Sequence, residues 1–158
     1  MPMPTLHNTF VVERTYPYAP PRVFAAFADS AKKRRWFGQG THHDVEEFLL
    51  DFREGGREYI RSRFREGSPF PGVALVNEGL IQDIEPNRRI ITASTMTVGD
   101  RRISASLVTV ELSPADEGTA LVVTHQGAFF EGSDGPRIRE EGWRKLCERL
   151  AAELGTLG

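Results

Sequence analysis

The sequence predicts an α+β fold: a curved antiparallel β-sheet closed on one face by a long C-terminal α-helix, with two short helices after the first strand. Three observations carry this. Seven segments read as strands, and the last six are consecutive and joined by short turns, as antiparallel strands are. From Pro136 onward, Ile138, Trp143, Leu146, Cys147, Leu150, Ala151 and Leu154 fall on one side of a helix. Between the first two strands, Pro20-Pro21 opens an alanine-rich stretch carrying Val23, Phe24 and Phe27 at helical spacing.

Residues 10–16 form the first strand, rich in β-branched and aromatic side chains, and Pro17, Pro20 and Pro21 stop it. Residues 20–28 are a short helix. Asp29 or Ser30 caps a second one, which runs through Lys32-Lys33-Arg34-Arg35 to Trp36-Phe37 and ends at Gly38. Residues 45–52 are the second strand, and Gly55-Gly56 turns the chain into the third, 57–65. There Glu58, Ile60, Ser62 and Phe64 share one face, while Tyr59, Arg61, Arg63 and Arg65 share the other. Residues 73–84, 89–98, 103–112 and 119–126 complete the strands. The final helix, 136–154, is about 28 Å long, with Arg139, Glu140 and other charged residues opposite its apolar stripe. A sheet bending around it leaves a cavity wherever the facing side chains are small or polar.

At 158 residues the chain reads as one domain, 1–158, able to build its own core. Apolar residues make up 39% and charged residues 27%, which excludes disordered and collagen-like classes. The net charge of −2 supplies no field for nucleic acid or an anionic membrane, so neither is expected as a partner. Cys147 is the single cysteine, so no disulfide framework exists. No apolar run is long enough to span a bilayer, and the N-terminus lacks the basic-then-apolar pattern of a signal peptide. The expected location is the cytoplasm.

Several short motifs, in order, resemble those of one family. They are Arg14-Thr15-Tyr16 followed by Ala19-Pro20-Pro21-Arg22-Val23-Phe24, then Trp36-Phe37-Gly38, and Asp51-Phe52-Arg53-Glu54-Gly55-Gly56. Glu85-Pro86-Asn87-Arg88-Arg89-Ile90, Gly118-Thr119-Ala120-Leu121 with Thr124-His125, and Glu141-Gly142-Trp143 follow. The set resembles the AHSA1 (activator of Hsp90 ATPase homologue 1-like) branch of the START/Bet v 1-like, or SRPBCC, superfamily. That resemblance implies the helix-grip fold. It also implies a choice among functions found in the superfamily: hydrophobic-ligand binding, polyketide cyclase-like or hydrolase-like catalysis, and chaperone-related protein interaction. Relatives often pair, so the resemblance allows a homodimer and leaves the oligomeric state open.

The leading expectation is a binding protein that holds a small apolar molecule between the sheet and the last helix. No nucleotide, metal or catalytic motif is present, and no cofactor is expected. The expected cavity residues are His125, Trp143, Glu58, Glu78, Ile60, Phe64, Trp36, Phe48, Leu146 and Cys147. The alternative, an enzyme, would use His125 with Glu58 or Glu78 as acid and base. The basic run 32–35 and the arginine stripe of the third strand read as solvated surface. Phe70, Phe129 and Phe130 read as exposed residues at a cavity mouth or dimer contact. His42-His43 is at most half a metal site.

Overall fold

The computed structural model describes residues 4–38 and 42–156. Seven strands make one antiparallel sheet: β1 (Leu6–Tyr16), β2 (His43–Leu50), β3 (Arg57–Phe64), β4 (Ala74–Glu85), β5 (Arg89–Val98), β6 (Arg101–Ala115) and β7 (Gly118–Phe129). Their order across the sheet is β1-β7-β6-β5-β4-β3-β2. Strands β2 to β7 form a meander, and β1 closes against β7. Because β1 and β2 lie at opposite edges, the chain between them must cross the whole sheet. It does so as α1 (Pro20–Ala28), α2 (Ser30–Lys33) and a π-helical turn, Arg34–Gly38. The long helix α3 (Pro136–Leu154) follows β7, and together these elements form the helix-grip arrangement.

Local chemistry explains these boundaries. Pro20 and Pro21 start α1, where a missing N–H costs nothing. The Asp29 carboxylate accepts from the Lys32 N–H at 3.0 Å and caps α2. Between β4 and β5 the turn places Asn87 in the left-handed region (φ 65°), which asparagine tolerates. The Trp36 indole N–H donates to the Ala26 carbonyl at 2.9 Å, tying the π-helical turn back to α1.

The core lies between the sheet's inner face and the helices. It joins Phe10, Val12, Val110, Leu121 and Val123 to Val23, Phe27, Trp36, Cys147, Leu150 and Leu154. Of the strands, β1 packs most closely with α3. There the Tyr16 hydroxyl donates to the Cys147 carbonyl at 2.9 Å in a buried setting.

Several details differ from the sequence expectation. The β1–β7 ladder runs further than expected, from Tyr16↔Thr119 to Leu6↔Phe129, with β1 starting four residues earlier and β7 ending three residues later, so Phe129 is buried rather than exposed. The inward phase of α3 is Arg139, Trp143, Cys147, Leu150 and Leu154. Ile138, expected inside, is 58% exposed, and Ala151 is exposed as well. The arginine stripe of β3 is outward-facing and answered by acids, with Arg61 and Arg63 both on Glu46 and Arg65 on Asp44.

Leu150 is fully buried where α3 meets the sheet. Replacing it with alanine is expected to cost about 2–5 kcal/mol, read as a lower urea midpoint at unchanged slope.

Candidate functional site

The hollow arises from the register. On the six strands from β3 to β7 and β1, pairing aligns Glu58, Gly79, Ser94, Ser106, Gly127 and Asn8 in one row. No member of that row carries an apolar side chain beyond a β-carbon, so the sheet has little bulk there to fill the space beneath the helices. At Gly127 a side chain has no room, since a β-carbon would sit 2.9 Å from the His125 ring and 2.8 Å from the Phe129 ring.

Two adjoining cavities lie between the sheet and the helices, and Glu58, Ser94 and Ser106 of this row line the inner one. The outer chamber, about 350 Å³, lies between α3 and β3–β5. Phe37, Ile60, Phe64, Leu75, Met96 and Leu146 give it an apolar wall. The inner niche, about 60 Å³, mixes polar and apolar side chains and adjoins the chamber at Phe37, Asn77, Met96, Arg139 and Trp143, which line both spaces. Ser94, Ser104, Ser106 and His125 line the niche but not the outer chamber.

Two ion pairs flank the niche. Lys33 reaches inward from α2 to Glu58 on β3, with both side chains about nine-tenths covered. Its ammonium also lies 4.5 Å from the centre of the Phe37 ring. This corrects the expectation that the basic run is solvated throughout. In the other pair, Arg139 donates to both Asp134 oxygens, at 2.9 and 2.8 Å, and to the Ser104 hydroxyl at 2.9 Å. Its guanidinium also faces the Phe129 ring. Burial raises the Asp134 pKa, but the hydrogen bond and charge of Arg139 outweigh it and hold the carboxylate below its usual range.

His125 is 1% exposed, sandwiched between Phe10 at 4.6 Å and Phe129 at 6.0 Å. Burial, then the charge of Arg139, lowers its pKa to about 4, so the imidazole is neutral at pH 7. Its Nδ1 is buried with no hydrogen-bond partner. No carboxylate orients it. Glu58 is engaged by Lys33, and its strand stands four places from that of His125, about 19 Å along the sheet at roughly 4.8 Å per strand. Glu78 is corrected outright: Gly79, not Glu78, is the register partner of Glu58, so Glu78 faces outward, 3.5 Å from Arg57. The acid–base constellation expected of an enzyme is therefore not assembled around His125.

The other expected residues divide. Trp143, Ile60, Phe64 and Leu146 line the cavities, and Glu58 lines the niche. Trp36 is a core residue packed edge-on against Phe27, and Phe48 lies beside Gly38; neither lines these two spaces. Cys147 is also core, and its thiol pKa is raised by burial, so it is no activated nucleophile. Sequence reasoning missed Lys33, Asn77, Ser106 and Arg139; for all but Ser106 the inward phase shows only in the assembled fold. Its one available signal was Ser104 and Ser106, which share the face of Val108 and Val110 on β6. His43 lines the outer chamber, and burial, then Arg149 and Arg65, lower its pKa. Among the described residues no group of three His, Cys, Asp or Glu is placed to hold a metal ion, and no helix is long and apolar enough to cross a membrane.

A curved antiparallel sheet gripping a C-terminal helix, with a hollow between them, defines an SRPBCC-type domain. The chain belongs to the family of activator of Hsp90 ATPase homolog 1-like proteins, whose signature matches residues 17–155. A protein from Rhizobium loti is 48% identical over 96% of this chain and 99% of its own, with a TM-score of 0.84. An uncharacterized protein from Rhizobium leguminosarum is 33% identical over 96% of both chains, with a TM-score of 0.88. The AHSA1 protein of Silicibacter pomeroyi is 26% identical over 93% of this chain and 97% of its own, with a TM-score of 0.73. None of the curated proteins compared matches.

Two measurements check the electrostatics. The unfolded His125 imidazole takes up a proton below pH 6.5, whereas the folded one does so only near pH 4. Its contribution to stability is therefore present above pH 6.5 and is lost as pH falls to 4, by about 3 kcal/mol in total. Urea titrations at pH 7 and 4.5 will show a loss that is smaller by about this amount in His125→Leu. For the Lys33–Glu58 pair, Lys33→Met alone leaves a buried charge and is expected to cost about 3 kcal/mol. The double variant Lys33→Met/Glu58→Leu recovers most of that, a coupling that a solvated pair would not show.

Proposed function

We propose that this protein is a non-catalytic carrier of small, mainly apolar molecules, held between α3 and strands β3–β5. The outer chamber carries the reading. A hollow of about 350 Å³ is within the usual range for a small-molecule site, and its wall is apolar with a few convergent polar groups. The neutral, unassisted His125 and the pairing of Glu58 with Lys33 favour binding over acid–base catalysis.

Gly142 offers a clean test. It lines the chamber from α3, and a β-carbon there meets nothing within 4 Å. Gly142→Phe puts a ring into the chamber, and losing a mid-helix glycine favours the helix by up to about 1 kcal/mol. The experiment screens lipids, polyketides and aromatic compounds by thermal shift against wild type and Gly142→Phe. A ligand at a hundredfold excess over its Kd stabilises by about 2.7 kcal/mol, raising Tm by about 5–10 °C in a chain of this size. Shifts should appear in wild type and vanish in the variant. A panel with no shift in wild type, or equal shifts in both proteins, refutes the assignment.

A further inference from the structure

The inner niche points to the chemistry of the molecule that the chamber receives. Among the described residues, three buried side-chain polar atoms have no hydrogen-bond partner: Asn8 Oδ1, Ser106 Oγ and His125 Nδ1. They are not scattered. Asn8 and Ser106 are the two register partners of Gly127, and His125 precedes Gly127 by two residues on the same face of β7. Ser106 and His125 both line the niche. A buried polar group without a partner is destabilising, and native folds rarely keep several together unless something satisfies them.

The charges around the niche narrow what that something is. Both cations that line it already hold carboxylates, Lys33 with Glu58 and Arg139 with Asp134. An entering anion would have to compete with those carboxylates for charge that is already neutralised. An entering cation would meet an ammonium and a guanidinium. We infer that the bound molecule carries one uncharged hydrogen-bonding group, a phenol or alcohol hydroxyl, at the end that enters the niche, where Ser106 and His125 receive it. This inference rests on the carrier reading above and specifies its ligand class: an apolar body in the outer chamber, a neutral hydroxyl head inside. A hydroxyl suits both partners because it donates and accepts at once, as the serine hydroxyl does. The depressed pKa of His125 agrees, since the neutral ring also offers one donor and one acceptor. The volume agrees too: about 60 Å³ takes a head group but not a second ring.

The test uses three probes of matched shape: para-hexylphenol, hexylbenzene and para-hexylbenzoate, measured by calorimetry at pH 7.4. The phenol is expected to bind at least about tenfold tighter than either of the others. Ser106→Ala should weaken the phenol by about fivefold and leave hexylbenzene unchanged. The same variant, without ligand, should keep or raise its Tm, because the hydroxyl it removes has no partner to lose. Equal binding of phenol and hydrocarbon overturns the inference while sparing the carrier reading. So does a benzoate that binds tightest, or a Ser106→Ala effect shared by all three probes. If none of the three binds wild type, the carrier reading falls together with the inference.

Discussion

A seven-stranded sheet is about 29 Å wide at roughly 4.8 Å per strand, while one α-helix is about 10 Å thick. A single helix therefore cannot cover this sheet, and most of the architecture answers that mismatch. Helix α3 favours the β1 side, where Tyr16 fastens it through the Cys147 carbonyl. The connection from β1 to β2 spans the rest of the inner face, bringing α1, α2 and the π-helical turn alongside. Over β3–β5 a space is left between α3 and the sheet, and the outer chamber occupies it. The chamber is thus the remainder left when one helix and one crossover close a wide sheet, while the register row of glycines and serines withholds bulk beside the inner niche.

Polar groups in that remainder are arranged to balance. The ammonium of Lys33 and the guanidinium of Arg139 each meet a carboxylate and an aromatic face. Isolated buried charges would be prohibitive, but paired and hydrogen-bonded ones are tolerated. The pairs also knit elements together, since Lys33 ties α2 to β3 and Arg139 ties the start of α3 to β6 and to the loop before it. Arg35 adds a bidentate bond to Glu153, at 2.9 and 2.7 Å, between the π-helical turn and the far end of α3.

The fold was legible in the sequence because its punctuation is local. Prolines, glycine pairs and strand alternation mark where elements start and stop, and the inward set Glu58, Ile60, Ser62 and Phe64 follows from alternation alone. The site was legible only where parity within one element sufficed. Glu78 was misplaced because its face depends on pairing with β3, and register between strands is a tertiary fact. Lys33 was misread because nothing in four consecutive basic residues says which one turns inward beside the π-helical turn. Arg139 was assigned to the wrong side of α3 because a charged residue enters a core only with a partner, and Asp134 stands in the loop before the helix. Trp36 and Cys147 were rightly buried, but burial does not distinguish a wall of the core from a wall of a cavity.

Apart from Arg139 and Trp143, which do both, the contacts that hold α3 down and the side chains that face the hollow are different. Tyr16, Leu150 and Leu154 belong to the first group; Leu75, Asn77 and Met96 belong to the second. Substitutions in the second group reshape the hollow without loosening the grip on the helix, because they lie on strands that α3 does not rest upon. Such a division separates foldability from selectivity. A lineage built on this scaffold is free to diverge in what it accommodates while every descendant keeps the same frame.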